Sequence, residues 1–230
     1  MSTILVTGAN RGIGFEFVQQ YLAMGEQVIA TYRNEKNSDQ LISLCRDESN
    51  LEIFKLDVAF DSSMEEFGQG LGDQPIDVFI NNAGIYGPRD SVFGKVDEAD
   101  WLSVLRINAL APLFLTQLLI ENLRRGELKK LVYVTSKMGS IEDNRGGGSY
   151  VYRSSKAALN AVVKSISVDL ESEKMAVAVL HPGWVRTDMG GPNGLIDTKT
   201  SVAGMVQVIR NLNVESSGAF FNYDGNVIPW

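Results

Sequence analysis

Short apolar segments alternate with longer helical ones along the whole chain, and this alternation limits the fold more than any other sequence feature. Seven short segments predict buried strands: 4–7, 27–31, 51–56, 76–80, 131–135, 176–180 and 219–222. Longer segments between them predict helices: 15–24, 64–71, 101–123, 151–170 and 201–212. Continuous apolar strands separated by helices are typical of a parallel sheet that is covered on both faces. The 230 residues show no internal repeat and no linker, so we predict one doubly wound α/β domain over residues 1–230.

Composition and charge narrow the classes of function. A formal net charge of −7 disfavours a nucleic-acid surface, which normally has a basic face. The single cysteine, Cys45, excludes an internal disulfide framework and fits a reducing compartment. No signal peptide is visible before the first strand, and no segment approaches the roughly 20 apolar residues of a membrane span. We therefore expect a cytoplasmic enzyme or binding domain that contacts neither nucleic acid nor membrane.

Two further classes of site lack the residues that they need. His181 is the only histidine, and no Gly-x-Ser-x-Gly elbow accompanies it, which disfavours a Ser-His-Asp hydrolase. One histidine and one cysteine supply no cluster of metal ligands, so no metal site is expected. We predict a structural role for His181.

A glycine-rich segment stands directly after the first predicted strand and opens the first helix. It reads Thr7-Gly8-Ala9-Asn10-Arg11-Gly12-Ile13-Gly14. Glycines at such a position permit a tight turn and let backbone N–H groups approach a pyrophosphate at the positive end of a helix. An ordinary strand-to-helix turn is the alternative, but a dinucleotide fold needs its phosphate loop at this position. The segment therefore predicts a dinucleotide site.

The end of the second strand bears on the choice of cofactor. A site for NAD normally places an acidic residue there, against the ribose 2′-hydroxyl. This chain has Ala30-Thr31-Tyr32-Arg33, without a carboxylate. Arg33 and Arg11 could grip a 2′-phosphate, because a guanidinium binds phosphate in a bidentate manner. Either arginine alone could be a solvated surface charge, but together they favour NADP(H) over NAD(H).

The chain contains two copies of Tyr-x-x-x-Lys, Tyr152/Lys156 and Tyr32/Lys36. Residues i and i+4 lie on one face of a helix, with Cβ atoms about 5–6 Å apart. An ammonium group beside a phenol favours the phenolate and lowers the tyrosine pKa from about 10, which would let the phenol exchange a proton with an alcohol or ketone. The motif alone does not show whether a tyrosine–lysine pair is catalytic or arises by chance. The copy at Tyr32 follows the second strand, in the stretch that bears on cofactor choice.

Taken together, these features resemble the short-chain dehydrogenase/reductase family, and within it the carbonyl-reductase-like branch that includes the C-factor and sniffer proteins. The family's motifs occur in order over nearly the whole chain, each at an element boundary: 7–14, 56–58, 81–84, Asn108, 135–136, Tyr152 with Lys156, and 182–187. The resemblance implies a Rossmann-type domain, with a seven-stranded parallel sheet in the order 3-2-1-4-5-6-7 and helices on both faces.

The resemblance also implies catalytic roles for four residues. Tyr152 would be the general acid in carbonyl reduction, or the base in the reverse direction, and Lys156 would lower its pKa and bind the nicotinamide ribose. Ser136 would hold the substrate carbonyl and the developing oxyanion. Asn108 would complete a relay of water and lysine to solvent, although an asparagine that merely satisfies the helix bend before Pro112 is the alternative.

The same resemblance implies a set of cofactor contacts. Asp57 and Val58 would border the adenine, residues 81–84 the adenine ribose, and Val185 and Thr187 the nicotinamide carboxamide. The predicted cofactor contacts are Gly8, Asn10, Arg11, Gly12, Ile13, Gly14, Arg33, Asp57, Val58, Asn81, Ala83, Gly84, Tyr152, Lys156, Pro182, Gly183, Val185 and Thr187.

One departure from the family pattern leaves a choice between two serines. Ser136 lies sixteen residues before Tyr152, where the family spacing is about thirteen, and Ser140 is its rival. We prefer Ser136 because it ends a strand, where parallel sheets present their sites.

These observations predict an NADP(H)-dependent oxidoreductase that acts on a small carbonyl or alcohol substrate. The alternative is a nucleotide-binding regulatory or signalling protein of the C-factor type with little turnover. Substrate contacts are expected from 85–96, 137–150 and the short segment after Thr187, which suggests a rather open cleft and an apolar or aromatic substrate. In the family, helices equivalent to 101–123 and 151–170 pair with a second subunit, so we expect a homodimer, with a tetramer as the alternative.

Overall fold

The computed structural model describes all 230 residues, and its centre is a single parallel sheet of seven strands. The strands run in the order β3-β2-β1-β4-β5-β6-β7, as predicted. Their bounds are β1 (Thr3–Val6), β2 (Gln27–Tyr32), β3 (Leu51–Lys55), β4 (Val78–Asn81), β5 (Lys130–Val134), β6 (Ala176–His181) and β7 (Ala219–Asn222). The predicted Rossmann-type fold class is therefore confirmed, and the strand ends agree with the predicted ones to within about two residues.

Eight α-helices cover the sheet. They are α1 (Gly12–Ala23), α2 (Asp39–Asp47), α3 (Asp61–Leu71), α4 (Glu98–Leu105), α5 (Ala111–Leu118), α6 (Ile120–Arg125), α7 (Tyr150–Asp169) and α8 (Thr198–Asn211). The single helix predicted over 101–123 is instead three helices, and the π-helical turn Arg106–Leu110 joins the first two. Single π-helical turns within α-helices occur frequently at functional sites, and Asn108 lies at the centre of this one.

Two apolar cores flank the sheet because successive strand residues point to opposite faces. In β1, Leu5 belongs to the core that packs against α3, α5, α6 and α7. Its neighbours Ile4 and Val6 belong to the other core, under α1, α2 and α8. Both faces of the strands are covered in this way, which explains why the strand segments are continuously apolar.

The order of the strands fixes where a ligand can bind. β1 pairs with β2 on one side and with β4 on the other, so the direction of winding reverses beside β1. The loops that leave β1 and β4 diverge there, and a crevice opens at the carboxyl ends of the strands. A ligand-binding site is therefore expected in this crevice.

One helical run is long and apolar enough, by length and composition, to cross a membrane. It covers Glu98–Leu118, with a mean hydropathy of 1.2, and 39% of it is buried inside the protein. The prediction that no segment approaches a membrane span is therefore wrong on this criterion alone. Core helices of folded domains meet the same criterion, so the finding is weak evidence for a membrane contact.

Candidate active site

A cavity of about 380 Å³ occupies the crevice at the carboxyl ends of the strands. It collects residues that are far apart in the chain, from the loop after β1 to the segment after β6. Among the predicted cofactor contacts, those that line it are Gly8, Asn10, Arg11, Gly12, Ile13, Gly14, Arg33, Asp57, Val58, Ala83, Gly84, Tyr152, Lys156, Pro182 and Thr187. Asn81, Gly183 and Val185 do not line the cavity, and their contacts with a cofactor stay a prediction.

The glycine loop is shaped for close approach of a ligand to backbone. Gly8 and Gly12 have φ angles of 62° and 56°, which favour glycine. A Cβ atom on Gly14 would lie 2.6 Å from Nδ2 of Asn82. No side chain caps the first turn of α1, so its N–H groups remain available at the positive end of the helix dipole. This arrangement suits a pyrophosphate.

Asn82 ties the glycine loop to the end of β4. Its Nδ2 donates to the carbonyl oxygens of Thr7 and Gly8, at 2.9 and 3.0 Å. The Thr7 hydroxyl accepts in return from the backbone N–H groups of Asn82 and Ala83. Asn82 belongs to the segment 81–84 that was predicted to border the adenine ribose, and it lines the cavity. Its neighbour Asn81, which was predicted, is buried in β4 instead.

Two arginines place positive charge on the lining of the cavity. Arg33 is exposed and lines the cavity. Arg11 also lines it and forms a 2.6 Å ion pair with Asp188, which follows β6. Asn34 presents a buried Oδ1 without a hydrogen-bond partner beside Arg33. No carboxylate from the end of β2 lines the cavity, so the residues present fit a dinucleotide that carries a 2′-phosphate.

Lys156 and Asn108 are buried polar residues, and both lie next to Gly84. Nζ of Lys156 donates to the carbonyl oxygen of Val134 at 3.0 Å. Oδ1 of Asn108 accepts from the backbone N–H of Ile85 at 2.9 Å, and its Nδ2 donates to the carbonyl oxygen of the same residue at 2.8 Å. A Cβ atom on Gly84 would lie 3.1 Å from Asn108 Oδ1 and 3.5 Å from Lys156 Nζ. Asn108 therefore fixes the strand-end backbone beside the lysine, rather than only satisfying a helix bend.

Ser136 and Ser140 have different surroundings. Ser136 follows β5, and its side chain lies next to the Tyr152 hydroxyl, where it acts to lower the pKa of that phenol. The hydroxyl of Ser140 accepts from the backbone N–H of Asp143 at 3.1 Å and is buried within that turn. Ser136 is thus the serine beside the tyrosine, although it does not line the cavity itself.

The expected lowering of the Tyr152 pKa is wrong for the protein without a cofactor. Burial raises the pKa of Tyr152 to about 12, which outweighs the opposing effect of Ser136, and the nearby Tyr86 adds to the rise. Burial also lowers the pKa of Lys156 to about 8. The ammonium lies 5.9 Å from the centroid of the Tyr152 ring, so it does not offset the desolvation of the phenol.

Comparison with known proteins decides the family. The short chain dehydrogenase family model matches residues 2–195. The chain belongs to the short-chain dehydrogenase/reductase family. The C-signal protein of Myxococcus xanthus is 48% identical to it over 167 residues, which cover 73% of this chain and 100% of that protein.

Two solved structures of this family are similar over the whole chain. Carbonyl reductase Sniffer of D. melanogaster is 34% identical, with a TM-score of 0.91 and 100% of both chains covered. The NADPH-bound carbonyl reductase from chicken fatty liver is also 34% identical, with a TM-score of 0.93 and coverage of 100% of this chain and 99% of that one. The resemblance to the carbonyl-reductase-like branch is thereby confirmed.

Sequence reasoning missed several residues that line the cavity of this short-chain dehydrogenase/reductase. They lie close to motif residues but were assigned no part in the site: Asn34, Asn37, Ile107 and Val134. For Val134 a signal was available, because it ends β5 at the carboxyl edge of the sheet, where parallel sheets present their sites.

His181 lies outside the cavity, at the end of β6. Burial lowers its pKa to about 4, and its Nδ1 has no hydrogen-bond partner. No other group within the chain forms a nucleophile-and-base pair with it. These facts support the predicted structural role. The chain also contains no group of three or more His, Cys, Asp and Glu residues that could hold a metal ion.

Proposed function

We propose that the protein is an NADP(H)-dependent oxidoreductase that interconverts a carbonyl compound and a secondary alcohol, acting as a carbonyl reductase. One observation carries this proposal. A single cavity is lined by Tyr152 and Lys156, by the glycine loop with Arg11, and by Arg33. When bound, NADPH supplies the hydride for the carbonyl carbon.

The chain's own residues supply the proton and the electrostatics. Tyr152, with a pKa of about 12, is protonated at neutral pH and can donate to the carbonyl oxygen. Because such a phenol is a weak acid, the phenolate that forms needs stabilisation. Lys156, with a pKa of about 8, is mostly charged at pH 7 and can provide it. Ser136 can donate a hydrogen bond to the substrate oxygen.

Three features support a preference for NADP(H). Arg33 is free of any ion pair in the protein, and Arg11 is held only by an exposed pair with Asp188. Exposed ion pairs contribute about 0–1 kcal/mol, so a phosphate can displace Asp188 at little cost. The solved relatives also include proteins with bound NADPH or NADP.

The proposal is tested by incubating the purified protein with NADPH or NADH and a panel of aliphatic and aromatic ketones and aldehydes. We expect oxidation of NADPH with at least one aromatic carbonyl compound and a weaker reaction with NADH. A protein that binds NADPH but turns over no member of the panel would support the regulatory alternative of the C-factor type instead.

Binding of NADPH near pH 8 is expected to take up as much as about half a proton, because an anionic ligand raises the Lys156 pKa from its value of about 8. At that pH the free lysine is half-deprotonated, and its protonated fraction increases in the complex. Below about pH 6.5 the lysine is already charged, so the uptake should vanish. Calorimetry in two buffers of different ionisation enthalpy measures the uptake, and Lys156→Met should abolish it. Proton release at pH 8 would contradict the assignment.

We propose that the protein is a homodimer through α4, α5 and α7. Leu110, Phe114 and Leu118 are exposed at spacings of four residues, so they lie on one helix face. Exposed apolar side chains in such a row indicate a covered surface. Val168 on α7 is exposed as well. We also propose that the dimer acts in the cytoplasm, where the one thiol, Cys45, stays reduced.

Phe114→Glu is expected to convert the dimer to a monomer at micromolar concentration, because association would then remove a charged carboxylate from water. Light scattering coupled to gel filtration measures the mass. Leu128→Glu is the matched control, since Leu128 is also an exposed apolar residue but lies just before β5, away from the helix face. A wild-type protein that is monomeric under these conditions would refute the dimer.

A further inference from the structure

The ring of Tyr86 covers one face of the Tyr152 ring. The ring centroids are 4.3 Å apart, and the planes differ by 22°, so the two rings are stacked. Tyr86 comes from the loop that follows β4, whereas Tyr152 lies in the first turn of α7. Only 7% of Tyr152 is exposed in the folded chain, and Tyr86 covers one face of its ring. Contact with the catalytic phenol from the side of Tyr86 is therefore closed.

Tyr86 is held in place by its own neighbours. Its hydroxyl lies 3.1 Å from the hydroxyl of Ser149, which precedes α7. Gly87 follows it with a φ angle of 75°, and a Cβ atom there would lie 2.7 Å from Cγ2 of Val104. Any other residue at position 87 would be strained and would displace Val104. The turn after Tyr86 is thus fixed by close packing against α4.

Arg89 connects this stack to the segment after β6, on the opposite side of the cleft. Its guanidinium carbon lies 5.3 Å from the centroid of the Tyr86 ring, at the distance of a cation–π contact. Its Nη2 donates to the backbone carbonyl oxygen of Met189 at 2.9 Å. Met189 follows β6 and lines the cofactor cavity. The segment 86–89, which we name the strap, therefore reaches from the catalytic tyrosine across the mouth of the cleft.

We propose that Tyr86, clamped by Arg89 and Ser149, is a positioning and specificity-determining residue for carbonyl reduction. The stack fixes the ring plane of Tyr152 and leaves its hydroxyl open only toward the cofactor cavity. A carbonyl compound must therefore reach this hydroxyl from the side of the cofactor cavity. The strap limits the width of the substituents that the carbonyl compound can carry on that side. The proposal rests on the proposed function in one respect, namely that Tyr152 is the proton donor.

Nitration of tyrosines by tetranitromethane tests the positioning without any need for turnover. Tyr150 and Tyr152 fall in one tryptic peptide, 146–153, between Arg145 and Arg153. Tyr150 is exposed and outside the stack, so it is an internal reference. We expect Tyr86→Ala to raise the ratio of nitration at Tyr152 to that at Tyr150 about fivefold, as loss of one stacked aromatic pair would do. Tyr86→Phe, which keeps the stack, should leave the ratio within about twofold.

The remaining variants keep the test decisive. If Tyr86→Ala does not fold, Tyr86→Leu carries the same expectation, since it keeps the bulk but loses the aromatic face. Arg89→Gln should raise the nitration ratio by more than Tyr86→Phe and by less than Tyr86→Ala. It removes the guanidinium that holds Tyr86 in place but keeps the stacked ring. An unchanged ratio in a folded Tyr86→Ala or Tyr86→Leu protein would overturn the proposal.

Substrate preference provides the second measurement. For each protein we compare the ratio of kcat/KM for a diaryl ketone to kcat/KM for an aliphatic methyl ketone. We expect this ratio to be about fivefold higher for Tyr86→Ala than for wild type, because the strap then no longer limits the width of the substrate. An equal loss for both ketones would indicate a merely structural role and would overturn the specificity claim. If the wild-type protein reduces neither ketone, the proposed function fails, while the nitration ratio still decides the role of the strap.

Discussion

Tyr152→Phe is expected to lower kcat for ketone reduction by about 10²–10⁴-fold, the usual contribution of a general acid, with NADPH affinity within about twofold of wild type. The substitution removes only the hydroxyl. The phenylalanine ring can still stack on Tyr86, which lies 4.3 Å away, so the packing of α7 is retained. Steady-state oxidation of NADPH gives kcat, and calorimetric titration with NADPH gives the affinity.

Tyr223→Phe is the matched control for this variant. Tyr223 packs against Gly183 and Gly204, and it does not line the cavity. Removal of its hydroxyl should leave kcat unchanged. A Tyr152→Phe protein that keeps more than about a tenth of the wild-type kcat would rule out Tyr152 as the proton donor.

The double variant Arg11→Ala/Arg33→Ala is expected to bind NADPH at least about 100-fold more weakly, while its affinity for NADH changes little. Hydrogen bonds from a guanidinium to an anion contribute about 1.5–3 kcal/mol each, and two of them account for this factor. Titration with 2′,5′-ADP and 5′-AMP measures the same difference on the adenosine half alone. The loss should be confined to the ligand that carries the 2′-phosphate.

Two variants serve as comparisons for the arginines. Arg46→Ala removes an exposed arginine at the end of α2 that does not line the cavity, so NADPH affinity should not change. Asp188→Asn frees Arg11 from its ion pair and should raise NADPH affinity by a few fold, in keeping with the small energy of an exposed pair. Equal losses of affinity for NADPH and NADH in the double variant would show that the arginines do not bind the 2′-phosphate.

The fold was predictable because its signals are local. Each strand is a short apolar run, and the glycine loop lies where β1 meets α1, so both are visible without knowledge of the packing. The division of the segment 101–123 was not visible. At the centre of the π-helical turn Arg106–Leu110, Asn108 bonds to the backbone of Ile85, and this contact joins parts of the chain that are distant in sequence.

The pKa values of the site residues depend on burial, which cannot be read from the spacing of residues in the sequence. The four-residue separation of Tyr152 and Lys156 predicted a lowered tyrosine pKa. Desolvation reverses that direction, because both groups are enclosed by the loops after β4 and β5. Tyr86 illustrates the same limit. It fell within 85–96, one of three segments from which substrate contacts were expected, and its stack with Tyr152 joins residues that are far apart in the sequence.

The most direct measurement is transfer of deuterium from NADPH labelled at nicotinamide C4 to an aromatic ketone, followed by mass spectrometry of the alcohol. The account predicts that the wild-type protein incorporates one deuterium at the carbinol carbon from one of the two C4 positions, and that Tyr152→Phe forms almost no alcohol. Binding of NADPH without any labelled alcohol, from every ketone of the panel, would contradict it.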